Sequence, residues 1–128
     1  MLSKQISVFL ENRDGRLSEV LSALDKAKVN ILSLSLADTS DYGLLRIIVD
    51  DSEKGCKALA DGGFSAKVSL VTVVSIPHTA GALSVLVGKL AENKVNVEYM
   101  YGLSLYGDNA SVVIKTSDAD AAEKILAE

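Results

Sequence analysis

Displaced by 66 positions, the chain lies back on itself: Gly15 falls on Gly81, Leu17-Ser18 on Leu83-Ser84, and Lys28-Val29-Asn30 on Lys94-Val95-Asn96. The register extends without a gap to Val8/Val74, Leu24/Leu90 and Ile48/Ile114. Apolar-for-apolar matches follow at Leu10/Ile76, Leu21/Val87, Ile31/Val97, Leu34/Met100, Ile47/Val113 and Leu59/Ile125. This period is longer than the ~20–50 residues of a solenoid unit and is that of a duplicated small domain. Two modules are therefore expected, residues 1–68 and 69–128, each near the lower size limit for independent folding and so sharing buried surface. Two copies also create an interface that one copy lacks, and ligands favour such interfaces.

Within copy one, Ile6, Val8 and Leu10 alternate with polar or smaller neighbours, the period-2 signature of a strand ending near Glu11. The turn composition Asn12-Arg13-Asp14-Gly15-Arg16 precedes Leu17, Val20, Leu21, Leu24 and Ala27 at helical spacing, with Asp14 as the expected N-cap. Leu32, Leu34 and Leu36 alternate with serines as a second strand. A hairpin turn over Asp38-Thr39-Ser40-Asp41-Tyr42-Gly43 leads to a third, Leu44 to Asp50. Asp51 or Ser52 caps a second helix, which Gly62-Gly63 stops, and Phe64 to Ile76 holds a fourth strand running directly into copy two. Copy two repeats the order, with a turn at Tyr106-Gly107-Asp108-Asn109 and a capping box at Ser117 and Asp120. Its last strand is missing, which implies an open sheet edge or one completed by another chain. The fold class expected is α+β: two ferredoxin-like βαββαβ modules, antiparallel sheets with helices on one face.

Composition removes several functions. Net charge is −4, without a Lys/Arg run and with four Tyr, two Phe and no Trp, which argues against nucleic acid as a partner. Apolar runs such as Ile47-Ile48-Val49 fall far short of the ~20 residues that cross a bilayer, and Met1 to Leu10 has no signal-peptide h-region. A cytoplasmic address and no membrane partner are expected. The excess apolar surface, including Leu44 and Ile48 opposite Leu45, Ile47 and Val49, and Tyr99 and Tyr101 opposite the helices, points to a tightly paired tandem that forms a homodimer. Cys56 is the single cysteine and His78 the single histidine, and no local nucleophile, phosphate-binding or metal motif is present, so neither catalysis, a metal nor a cofactor is expected. Glu11 with Asp14, or Asp50 with Asp51, form carboxylate pairs of the kind that ordinarily cap helices and line turns.

The informative place is the strand-to-helix turn of each copy, Asn12 to Leu17 and His78-Thr79-Ala80-Gly81-Ala82-Leu83. Glycine there permits close backbone approach, and a helix N-terminus suits a carboxylate. Asn30 and Asn96 are placed at the same end of the unit, with an amide able to meet both ammonium and carboxylate. Equally, the glycines and asparagines serve the turns alone.

The run Phe9 to Leu17 followed by Lys28-Val29-Asn30-Ile31, and its counterpart Ile76 to Leu83 with Val95-Asn96-Val97, resembles the ACT domain, a βαββαβ regulatory module that binds amino acids in biosynthetic enzymes. The likeness spans nearly the whole chain and is that of stand-alone tandem ACT proteins. The resemblance implies an amino acid ligand at an interface between modules. It would be held by Asn12, Arg13, Asp14, Gly15, Arg16 and Leu17 with Asn30 and Ile31, and by His78, Thr79, Ala80, Gly81, Ala82 and Leu83 with Asn96 and Val97. It also implies a biosynthetic enzyme as partner. Asp14 and Ala80 stand where many members have proline, and the contrast of polar Asn12-Arg13-Asp14 with Thr79-Ala80 leaves open whether one or both of the two sites are occupied. A structural interaction module without a small ligand is the alternative. An acylphosphatase-like enzyme lacks the glycine-rich turn it would need.

Overall fold

Alternating apolar residues and glycine-punctuated turns give six strands and four helices among the described residues. The computed structural model describes residues 1–11, 13–38, 42–104 and 109–127. In chain order these are β1 Leu2–Glu11, α1 Arg16–Lys26, β2 Ile31–Asp38, β3 Tyr42–Val49, α2 Ser52–Asp61, β4 Ser65–Pro77, α3 Ala82–Glu92, β5 Val97–Ser104, β6 Asn109–Thr116 and α4 Ala119–Leu126. Asn12 and the turn residues Thr39, Ser40, Asp41, Tyr106, Gly107 and Asp108 lie outside the described residues.

The chain divides into two compact units, Lys4–Ser69 and Met1–Ser3 with Leu70–Glu128. In the first the strand order is β2-β3-β1-β4, and in the second β1-β4-β6-β5, with β1 and β4 contributing to both. Each is the split β-α-β arrangement, α+β and ferredoxin-like. Ile6, Val8, Leu10, Leu45, Ile47 and Val49 present one sheet face to Val20 and Leu24 of α1 and Leu59 of α2, forming the first core. Leu86 and Leu90 of α3, Ala122 of α4, and Val112 and Ile114 of β6 form the second. On the opposite face Ile48 is also buried, as the apolar third strand requires, and Tyr99 and Tyr101 are half-buried.

No strand follows α4 among the described residues, and part of its place is filled from within the chain. Met1–Ser3 takes it: Met1 and Val73 exchange both backbone hydrogen bonds at 2.8 Å, the signature of an antiparallel pair. The chain's own first residues thus cover an edge that would otherwise present unpaired N–H and C=O groups.

The repeat is not gapless. Leu34 pairs with Ile47 and Met100 with Ile114, so β2 and β5 are related by 66 positions but β3 and β6 by 67. The extra residue falls within β5, where the register shifts between Gly102, paired with Val112, and Ser104, paired with Ser111. Ile47 therefore corresponds to Ile114 rather than Val113, Ile48 to Lys115, and Leu59 to Leu126 rather than Ile125. A slip of one residue moves a strand's side chains to the other face, which is why Ile47 and Ile114 lie in cores and Val113 lies opposite.

Two caps also differ from expectation. Gly15, not Asp14, is the N-cap of α1, left-handed at φ 85° and with no side-chain bond. At α4 the cap is Asp118, whose carboxylate accepts from the Ala121 N–H at 3.0 Å, just as Asp51 accepts from Lys54 at 3.1 Å. Ser117 is drawn off to bond Asn96.

Candidate functional site

Both strand-to-helix turns are built by the same backbone bonds. In copy one the Arg16 N–H donates to the Arg13 carbonyl and that of Glu19 to Gly15. In copy two Ala82 donates to Thr79 and Val85 to Gly81. Gly15 and Gly81 sit at φ 85° and 88°, where a Cβ is disfavoured, and this alone accounts for their recurrence.

The side chains on this common frame differ. In copy one Arg13 Nε meets Glu11 at 3.2 Å, Arg16 meets Glu19 at 2.6 Å and Glu11 at 4.0 Å, and the Arg16 guanidinium lies 4.4 Å from the centre of the Phe64 ring. Phe64, 8% exposed, belongs to the core. Asp14 points to solvent and Leu17 packs on the core. In copy two His78, Thr79 and Ala80 are exposed, Leu83 is 43% exposed instead of packed, and no acidic residue stands in the first turn of α3. Beside this turn opens a recess of about 510 Å³ lined by Ile76, Thr79, Gly81, Ala82, Leu86 and Leu126.

Asn30 and Asn96 are held by their backbones. The Asn30 N–H donates to the Asp50 carboxylate and its carbonyl accepts from the Asp50 N–H, each at 3.0 Å. Ser117 serves Asn96 likewise at 3.0 and 2.9 Å. Both residues are exposed. The preceding Lys28 and Lys94 take the left-handed conformation at φ 62° and 60°, and Val29 and Val95 turn into the cores.

The asparagines do not lie at the same end of the unit as the turns. Glu11 pairs with Tyr42 near the start of β3, whereas Ile31 pairs with Val49 at its end. A helix that returns along the strand it follows must deliver the next strand's start to the far end, so Asn30 and Ile31 are separated from Arg13–Leu17 by the length of the sheet. Copy two behaves identically, and there Asn96 and Val97 line a second recess of about 410 Å³ with Val87, Ala91 and Lys94. A ligand touching both a turn and an asparagine must bridge two modules.

The carboxylate pairs are absorbed by structure: Glu11 by the arginines, Asp50 by Asn30, Asp51 by its helix. Burial pushes the Cys56 thiol up, against a smaller downward pull from Lys4, so at neutral pH it is a poor nucleophile. Among the described residues no group of three or more His, Cys, Asp or Glu is placed to hold a metal, and no helix is long and apolar enough to cross a membrane. Sequence reading missed the Phe64–Arg16 contact. Its one signal is that Phe64 follows Gly62-Gly63, while copy two has no phenylalanine.

The geometry has close relatives. The chain is 40% identical to a protein of known crystal structure from Bacteroides thetaiotaomicron, with a TM-score of 0.93 over 99% of this chain and 88% of that one. The regulatory subunits of aspartate kinase from Thermus thermophilus, in ligand-free form, and from Thermus flavus match at 17% and 19% identity. Their TM-scores are 0.69 and 0.67 over 99% of this chain and 93% and 94% of theirs, a likeness of fold. No curated protein matches the chain. A family model described as an ACT domain pair matches residues 1–128, in agreement with the twofold βαββ frame and its paired glycine turns: the chain belongs to the ACT domain pair family.

Proposed function

We propose that this protein is a non-catalytic, cytoplasmic regulator that binds an amino acid at an interface between ACT modules. The observation that carries this reading is the open turn of copy two, where the N-terminus of α3 lacks a side-chain cap and a first-turn acid and borders a 510 Å³ recess. The free N–H groups and dipole there favour the ligand's carboxylate. Exposed Asn96 or Asn30 of another module takes the ammonium. The names of the Thermus structures, regulatory subunits of aspartate kinase, support a role read out by a partner enzyme, here taken to be a biosynthetic one. The mechanism is differential binding. The amino acid favours one packing of modules, and the shift is bounded by its affinity difference between packings.

The second module in the interface comes from a second copy of this chain. β2 is the outer strand of the first unit, and Leu32, Leu34 and Leu36 stand 55%, 52% and 49% exposed along it. Such an edge is a template for strand pairing. The outer strand of the second unit instead carries Glu98, paired with Lys115 at 3.2 Å. The same leucines favour the alternative of an interaction module without a ligand, and a thermal-shift screen against the twenty amino acids separates the two. Ligand at about 100 times its dissociation constant adds roughly 2.7 kcal/mol. The expected result is a hit that Asn96→Ala or Asn30→Ala weakens without altering the melting point of the free protein. Silence from folded protein moves the assignment to the interaction module. Sedimentation at micromolar concentration should give a dimer that Leu34→Lys dissociates.

A further inference from the structure

Beneath the second helix of each copy the two cores differ in kind. Ile6 pairs with Ile47 as Thr72 pairs with Ile114, and Ile31 pairs with Val49 as Val97 pairs with Thr116. Thr72 and Thr116 therefore stand in copy two where Ile6 and Val49 stand in the core of copy one. Residues opposite each other across a pair, or two apart along a strand, share a face, so both threonines lie on the core face that carries Ile114. Thr72 is 0% and Thr116 2% exposed, and neither hydroxyl oxygen has a hydrogen-bond partner among the described residues. Closed off in this way, both are also out of reach of any group added at the surface.

The helix above them compensates for their bulk but not for their polarity. In copy one Gly55 of α2 comes so close that a Cβ there would lie 3.3 Å from the Cδ1 of Ile6 and 3.2 Å from the Cγ2 of Val49. In copy two the residue at the same distance from the cap is Ala122, fully buried. Its methyl group replaces the carbon that Thr72 lacks relative to isoleucine, so the exchange conserves volume and makes no room for a water. Helix α2 thus rests on apolar carbon, and α4 on two hydroxyls that gave up water without gaining a partner. Undocking α4 returns that hydration. The start of α4 is also tied to the candidate site. Ser117 exchanges two hydrogen bonds with the Asn96 backbone, at 3.0 and 2.9 Å, and the next residue, Asp118, caps the helix.

We infer that α4 is the moving part of this regulator. It undocks from its sheet while α2 stays seated, and the margin that holds it is kept small by Thr72 and Thr116 and enlarged by a ligand at Asn96. Only the ligand's effect rests on the amino-acid reading above; the loosely held helix stands without it.

The test is native-state hydrogen exchange by NMR on the full chain and on Thr116→Val and Val49→Thr, which trade the near-isosteric residues the two copies carry at one position. After correction for intrinsic rates, the amides of Ala122–Ile125 should exchange roughly 10-fold or more faster than those of Gly55–Ala58. Thr116→Val should slow α4 roughly 10-fold, the weight of one orphaned hydroxyl, and leave α2 unchanged. Val49→Thr should speed α2, and should that variant not fold, Thr116→Val decides alone, because fraying of a helix end does not respond to it. An equimolar mixture of the twenty amino acids should slow α4 further in the unaltered chain. Unchanged or faster exchange of α4 in Thr116→Val overturns the proposal whatever the mixture does. A mixture that raises the melting point without slowing α4 overturns the coupling to Asn96 and leaves amino-acid regulation intact. A mixture that does not bind overturns the amino-acid reading and leaves the loosely held helix standing.

Discussion

At the start of α1, Arg13 and Arg16 brace the turn against Glu11 and Glu19 over an aromatic ring. At the start of α3 the same backbone bonds hold a turn whose flanking charges are gone. A glycine at positive φ and two local backbone bonds suffice to specify the turn, so duplication preserved it while the side chains diverged. Copy one spends its side chains on closing the unit and copy two leaves the same place open. A duplicated backbone frame need not carry equal surfaces.

The largest test of this contrast is Phe64→Ala. Truncating a buried phenylalanine costs about 3–5 kcal/mol in transfer and cavity terms, and chemical denaturation should show a loss in that range. Leu126→Ala, beside space that is already open, should cost less than half as much. Equal losses would mean that the two places are packed alike and would break the comparison. Next in size are Gly15→Ala and Gly81→Ala. A Cβ built at either glycine meets nothing within 4 Å, so the cost is purely that of a left-handed non-glycine residue, about 1–2 kcal/mol, and it should be equal in the two copies. Unequal costs would show that the shared backbone is not the common denominator.

Much of this was legible in the chain. The period-2 runs, Gly15 and Gly81, the helical leucines and the cap at Asp51 each act locally, and local physics repeats wherever the residues do. What was not legible depends on topology or on distant partners. Asn30 follows its helix closely in sequence, yet the helix carries it to the far end of the sheet. The one-residue offset was hidden because Val113 and Ile114 are both apolar and both buried, so hydrophobicity alone could not choose the register. Phe64 reaches Arg16 across most of a copy, and Met1 reaches Val73 across more than one.

Removing the caps probes what the copies still share. Asp51→Ala and Asp118→Ala each delete one carboxylate-to-N–H bond of about 3 Å at a helix start, and each should cost about 1 kcal/mol in thermal or urea denaturation. A matched pair of losses fixes the baseline against which the turns differ.

The smallest effect sharpens the comparison most. Arg16→Ala gives copy one the residue that copy two carries. The cation–π contact is worth roughly 0.5–1 kcal/mol, and the pair with the half-exposed Glu19 is screened and contributes roughly 0.2–1 kcal/mol. Against these stands the guanidinium's Nε, buried without an acceptor, whose lost hydration offsets part of the gain. The net loss should therefore be about 1 kcal/mol or less. Its composition can be read from salt, because at about 1 M the screening length falls to about 3 Å and suppresses the ion pairs while leaving the ring contact. A loss that persists in high salt assigns Arg16 to holding Phe64 in place, whereas one that vanishes assigns it to the surface charges. Only the first outcome makes Arg16 and Phe64 a single device that closes the turn of copy one.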